Sequence, residues 1–126
     1  MKKVYGIRGA TTVSANTKEE IIKETQELLQ AIFQANAITK ENLISIIFTS
    51  TIDLDAEFPA KAARLLGLDD IPLLGCLEAN VPHGLPLCIR VLLHVYSDEG
   101  TKIKHFYLND AVQLRPDLCL CQKTIS

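Results

Sequence analysis

The amino-acid sequence predicts an α+β domain in which a mixed β-sheet carries two helices on one face. Apolar runs of strand and helix type follow the order β-α-β-α-β-β-β, too few helices to cover both faces of a sheet. The fourth strand shows which face they cover. Ile89, Val91, Leu93 and Val95 form a wholly apolar side fit for helix packing, while Cys88, Arg90, Leu92, His94 and Tyr96 form a mixed opposite side. That second face is only partly polar and needs a cover. The simplest cover is another copy of the same sheet, so a symmetric oligomer with a site on or near the subunit boundary is expected.

Each element has a local cause. Residues 2–8 (KKVYGIR) read as the first strand, ended by Gly9 before a loop over 10–16. Thr17-Lys18-Glu19-Glu20 is a capping box, with the Thr17 hydroxyl placed to accept an orphan amide and Glu20 placed to reach back. Behind it Ile21, Ile22, Thr25, Leu28, Leu29, Ile32 and Phe33 recur at helical spacing, to about Ala35. Residues 43–51 (LISIIFTST) are rich in β-branched side chains and short enough for a buried strand, followed by a turn over 52–57. Pro59 suits the first turn of a short second helix over 60–66, and Gly67 suits its stop. Lys61 and Arg64 share a face of that helix. A third strand spans 71–78, a loop with two prolines and Gly84 spans 79–86, and the fourth strand spans 87–96. Gly100 then turns the chain into a fifth strand, 102–108 (KIKHFYL), expected to pair with the fourth as a hairpin, and 109–113 fits one helical turn.

With 126 residues, 48% apolar and 22% charged, the chain has the size of one domain, 1–126, that hides roughly two-thirds of its unfolded surface. A net charge of −2, with no basic run longer than Lys2-Lys3, argues against a nucleic-acid or acidic-membrane partner. Met1-Lys2-Lys3 imitates the start of a secretory signal, but Arg8 follows with no apolar h-region, so a cytoplasmic location is expected. Cys76, Cys88, Cys119 and Cys121 contain no CxxC pair, and His83, His94 and His105 contain no HxxxH unit. Reduced thiols and no metal site are expected.

Only four arginines occur, and each of them, Arg8, Arg64, Arg90 and Arg115, interrupts an apolar stretch. Arg90 is the sharpest case, because Leu87 to Leu93 is otherwise an unbroken apolar strand and an unpaired buried guanidinium is costly. Something negative is expected against it. A planar fork of donors matches carboxylates bidentately where lysine offers a point charge. Any one arginine can be explained by an Asp or Glu of its own chain. The four together read as a pocket for a small polyanion.

The singular residues fall in one order: Arg8 within GIRGATT, Phe58-Pro59-Ala60-Lys61 with Arg64, Glu78 at a strand end, Arg90 within CIRV, Tyr107, and Arg115 within LRPDL. In these motifs the chain resembles the monofunctional, trimeric chorismate mutases of the Bacillus type, nearly end to end. The resemblance implies a homotrimer forming a pseudo α/β-barrel, with clefts at its interfaces. It also implies a dicarboxylate substrate, chorismate, converted to prephenate by a concerted Claisen rearrangement with no cofactor. A pericyclic step needs neither nucleophile nor base, in keeping with a sequence that shows no Ser-His-Asp or Cys-His constellation. What remains is to hold the enolpyruvyl side chain over the ring and to stabilise charge gathering on the ether oxygen.

Residue by residue, the resemblance makes Arg90 the catalytic cation at the ether oxygen and Glu78 the acceptor of the ring hydroxyl. Arg8 and Tyr107 hold the side-chain carboxylate. Phe58, Ala60, Leu73 and Leu74 match wall positions, Leu74 where a more polar residue is usual, and Gly75 and Leu114 complete the substrate-contacting set. Lys61, Arg64 and Arg115 match outer cations that water screens. Arg115 precedes Pro116 and is expected to begin a tail that closes over the site. One departure stands out. The family has a cysteine three residues before the glutamate, whereas here that position is Gly75 and the cysteine is Cys76. Adjacent strand residues face opposite sides, so Cys76 is expected to point away, unless a bulge at Gly75 turns it in. Two rival readings stand beside the mutase reading: a related trimer that keeps the arginine pocket but senses a carboxylate metabolite without catalysis, and an imine-hydrolysing trimer of similar architecture.

Overall fold

The strand that carries Arg90 lies at the centre of the protein. A computed structural model describes residues 1–118, and the sheet within it has five strands: β1 (Lys2–Thr12), β2 (Leu43–Ser50), β3 (Leu73–Leu77), β4 (Cys88–Asp98) and β5 (Phe106–Tyr107), in spatial order β3-β2-β4-β1-β5. β4 pairs antiparallel with β1 on one side and β2 on the other, while β3 and β5 add parallel to β2 and β1, so the sheet is mixed as expected. Helix α1 (Lys18–Ala35) and the short α2 (Ala60–Leu65) both pack on one face. Two 3₁₀ turns, Asn109–Leu114 and Pro116–Leu118, close the described chain.

The core forms where the sequence periods meet. Leu28, Leu29 and Ile32 of α1 and Ala60 and Ala63 of α2 bury against Ile7, Ile46, Phe48, Val91, Leu93 and Val95, one side of three adjacent strands. Thr17 caps α1 by accepting the Glu20 N–H at 3.2 Å, but the return half of the capping box is not made, because the Thr17 N–H donates to the Ala15 carbonyl at 2.9 Å. α2 stops at Gly67, whose φ of +91° needs no side chain to be accommodated.

Two expectations are corrected. Gly9 does not end the first strand, which continues to Thr12. A Cβ at Gly9 would lie 2.7 Å from the Ile32 side chain, 3.1 Å from Val91 and 3.2 Å from Leu28, so its missing side chain lets α1 approach the sheet closely. The hairpin of fourth and fifth strands does not form either. Gly100 does turn the chain at φ +89°, but both edges of β4 are already occupied, and among the described residues β5 pairs with β1 alone, Gly9 opposite Phe106 and Ala10 opposite Tyr107. Residues 102–105 and 108, expected in that strand, form none, and it is limited to Phe106–Tyr107.

Candidate active site

The face turned away from the helices carries a lateral row of side chains set by strand pairing alone. Ala10 pairs with both Arg90 and Tyr107, and Thr49 pairs with both Arg90 and Cys76, so Tyr107, Ala10, Arg90, Thr49 and Cys76 lie side by side across all five strands. Residues paired in a ladder project to the same face. Arg8 sits one step along, in the row it shares with Leu92, Ile47 and Leu74. Glu78, just past the end of β3, reaches back to the first row. Its Oε1 lies 3.3 Å from Arg90 Nε and accepts a hydrogen bond from Thr49 Oγ1 at 2.7 Å.

Arg90 is not buried. Its side chain is 47% exposed and that of Glu78 23%, so the burial penalty read from the sequence does not act within one chain. Arg8 and Arg64 are likewise exposed and Arg115 half-buried. The carboxylate partner expected for Arg90 is present as Glu78, in a pair open enough for a ligand to enter.

The start of β4 is fixed two residues before Arg90. Leu87 adopts φ +52°, a left-handed conformation that a branched side chain rarely takes. Its N–H donates to Asp53 Oδ2 at 3.0 Å, and its carbonyl accepts from Val13 N–H at 3.0 Å. Asp53 also accepts from the Thr51 hydroxyl, which in turn accepts the Cys88 N–H at 3.0 Å. Sequence reasoning passed over Thr49, Thr51 and Asp53. The available signal was Thr49 and Thr51 two residues apart at the end of the strand run, on the alternation that faces away from the core.

A cleft of about 210 Å³ opens beside the ion pair, lined by Arg90, Glu78, Asp53, Cys88 and the 79–86 loop. Tyr107 is buried against Ala10 and Ala111, with Leu85 and Leu114 packed on them. Arg115 donates from Nε and Nη2 to the two oxygens of Asp117 at 3.1 and 2.8 Å. Those bonds, then Arg115's charge and to a lesser degree Arg8's, hold the Asp117 carboxyl below its ordinary range, although burial opposes them. Cys119 and Cys121, with the rest of the expected closing tail, lie outside the described residues.

Cys76 is placed differently from expectation. Its pairing with Thr49 puts it on the Arg90 side of the sheet, while Gly75 pairs with Phe48 on the helix side, and the β2–β3 ladder runs through Gly75 with no bulge. The strand alternates as argued, but the count began from the wrong face. Burial pushes the Cys88 thiol up, while Cys76 is exposed, and both are free thiols.

The remaining predicted positions form a second group. Ala60 is buried in the core and Leu73 packs against it, whereas Phe58 and Leu74 are 72% and 58% exposed. Phe58, Phe48, Gly75, Cys76 and Leu77 help line a cleft of about 410 Å³. Glu57 organises its rim: it accepts the Phe58 N–H at 3.0 Å and pairs with Lys61 at 3.2 Å, and these contacts hold its carboxyl below the usual range. No hydrogen bond or ion pair joins Phe58, Lys61 or Arg64 to the Arg90 row among the described residues. One chain thus brings together Arg8, Arg90, Glu78, Tyr107, Leu114 and Arg115, with Leu74 across the sheet in Arg8's row, and leaves Phe58, Lys61 and Arg64 without a hydrogen bond or ion pair to them among the described residues.

His105 links the first group to pH. Its Nδ1 accepts the Arg8 N–H at 3.0 Å, and burial, then the charges of Arg8 and Arg115, lower its pKa from the ordinary 6.5. The unfolded chain therefore takes up the proton first as pH falls, and stability drops below pH about 6.5 until the folded form is protonated too. Denaturation midpoints of the His105→Gln variant are expected to lose that part of the acid slope. An unchanged slope would show that His105 contributes nothing to it.

Comparison with known proteins bears on this arrangement. The sequence family described as chorismate mutase type I matches residues 4–118. The chain is 48% identical over 117 residues to chorismate mutase AroH of Thermus thermophilus, covering 91% of this chain and 96% of the relative. It is 43% identical over 123 residues to chorismate mutase AroH of Bacillus subtilis, covering 96% and 97%. Its fold is similar to a solved chorismate mutase from Clostridium thermocellum, with a TM-score of 0.82 and 52% identity over 85% of this chain and 96% of that one.

Proposed function

Because the chain belongs to the chorismate mutase type I family, it is an isomerase that converts chorismate to prephenate in aromatic amino-acid biosynthesis, and we propose that it does so with Arg90 and Glu78 as its central pair. The observation that carries this reading is the half-exposed Arg90–Glu78 pair at 3.3 Å, in the middle of a row flanked by Tyr107 and near Arg8. The C–O bond of chorismate breaks ahead of C–C formation, so negative charge gathers on the ether oxygen. A guanidinium fixed there stabilises the transition state more than the ground state. Glu78 receives the ring hydroxyl and balances the positive charge developing on the ring. Arg8 and Tyr107 hold the side-chain carboxylate, with Leu114 packed beside Tyr107, and so keep the reactive conformer.

Phe58, Ala60, Lys61, Arg64, Leu73, Leu74 and Gly75 belong, in this proposal, to the opposite wall, contributed by a neighbouring subunit of a homotrimer. The assembly is a pseudo α/β-barrel of single-domain chains spanning 1–126, located in the cytoplasm, with no nucleic-acid or membrane partner. Two features support it. The helix-free face carries the paired Val4 and Tyr96, each about half exposed, and, on another row, the exposed Leu74, and apolar surface of this kind is costly to leave in water. Phe58, Lys61 and Arg64 make no hydrogen bond or ion pair to the Arg90 row among the described residues. None of the described helices is long and apolar enough to cross a membrane. Arg115 closes the mouth from the outside.

The test is chorismate consumption followed by its ultraviolet absorbance, in buffer with chelator, on protein whose sedimentation mass is measured in parallel. Turnover by a species of three 13.9 kDa chains is expected. An intact trimer that binds a transition-state analogue tightly without turnover would instead be a metabolite sensor.

A further inference from the structure

We propose that Thr49 is a positioning residue for the rearrangement, tethering one carboxylate oxygen of Glu78 so that the other is presented to the substrate's ring hydroxyl. This rests on the role proposed above for Glu78. Glu78 lies beyond the last residue of β3, where its backbone is held by one bond, its N–H to the Ser50 carbonyl at 2.9 Å. A glutamate there has three side-chain torsions to fix before it can meet a hydroxyl productively. One donor and one charge restrain them. Thr49 Oγ1 donates to Oε1 at 2.7 Å, the Arg90 guanidinium forms an ion pair with the same atom at 3.3 Å, and no hydrogen bond reaches Oε2 among the described residues.

The hydrogen bond and the ion pair are not equivalent once substrate is present. Arg90 must face the ether oxygen and a carboxylate, so its hold on Glu78 is shared with the ligand. Thr49 has no such competing task. It is β-branched, in a strand, and paired on either side with Arg90 and Cys76, so its hydroxyl is aimed by a stiff χ1. It directly follows the apolar run Ile46-Ile47-Phe48, at a partly buried position of the strand where an aliphatic residue would serve packing equally well. A hydroxyl at this position is explained by the carboxylate it serves.

The experiment compares Thr49→Val, which keeps the shape and removes the donor, with Thr49→Ser, which keeps the donor, each alone and combined with Glu78→Ala. Steady-state kcat and KM for chorismate and the thermal midpoint are read. Thr49→Val is expected to lower kcat by about 10- to 100-fold, the effect of a lost hydrogen bond to a charged group, with KM and midpoint little changed. Thr49→Ser is expected to recover most of that loss, and Thr49→Val to add nothing in the Glu78→Ala background. A loss that persists undiminished without Glu78, or a serine as poor as valine, overturns the proposal. Should Glu78→Ala cripple the enzyme while Thr49→Val does not, Thr49 alone is ruled out. If Glu78→Ala keeps full activity, the role of Glu78 falls, and this proposal with it.

Discussion

Replacing Arg90 by alanine lowers kcat by at least about 10²–10³-fold, on the order of 3–4 kcal/mol, the loss expected when one preorganised donor to a developing anion is removed. KM changes less, because the ether oxygen carries little charge in the ground state. Lysine at this position is also expected to fail. It restores a cation but not the fork that can hold the ether oxygen and a carboxylate together. The thermal midpoint should move little, since Glu78, the partner left behind, is not fully buried and keeps its bond from Thr49. Kinetics and calorimetry on the same preparation decide the matter. A loss of only a few fold would move the catalytic role to another cation, Arg8 first.

The second large effect is structural. Phe48→Ala is expected to destabilise the fold by about 3–5 kcal/mol, measured as a shift of the denaturant midpoint at fixed chain concentration. Phe48 is fully buried, between Val91 on one side and Gly75 on the other. Phe48 belongs to the core cluster shared by the sheet and both helices, with Ile46, Val91, Leu93, Ala60 and Ala63, so an alanine would leave a void among several elements at once. A cost below about 1 kcal/mol would mean that the helices settle onto the sheet and close the void. Activity is expected to suffer at temperatures where the folded population is intact, because the strand holding Phe48 inward also aims Thr49 outward.

Most of the architecture was legible because each element carried its cause within itself. The fourth strand is buried on one side only, so its alternation separates Ile89, Val91, Leu93 and Val95 from Arg90 without reference to anything else. The first helix announced itself through Thr17 and the spacing of its apolar stripe, though not that Thr17 would give its own N–H to Ala15. What failed was non-local. A glycine turn followed by KIKHFYL predicts a hairpin, and only the positions of the first and second strands reveal that no edge remained for one. Gly9 looked like a stop because nothing local shows a helix pressing on it.

The site was legible through the family motifs rather than through geometry. Arg8, Arg90 and Arg115 stood out because they interrupt apolar stretches, the resemblance gave them and Glu78 and Tyr107 their roles, and strand pairing places Arg8, Arg90 and Tyr107 on the face away from the helices. Cys76 was turned the wrong way because its direction depends on pairing with Thr49, a contact between distant parts of the chain. Thr49 itself was missed. A threonine in a β-rich run needs no explanation until its neighbour across the sheet is known.

A row built from one residue per strand tolerates change unevenly. Swapping the occupant of one position leaves the aim of the other four intact, so chemistry can be edited there a single amino acid at a time. Loss of one codon within Leu43–Phe48 is another matter, for if the Ser50 end of the strand draws back to close the gap, Thr49 turns into the oil and its greasy neighbours turn toward the substrate. Genes of this kind should therefore accumulate their insertions and deletions between strands and almost never inside one.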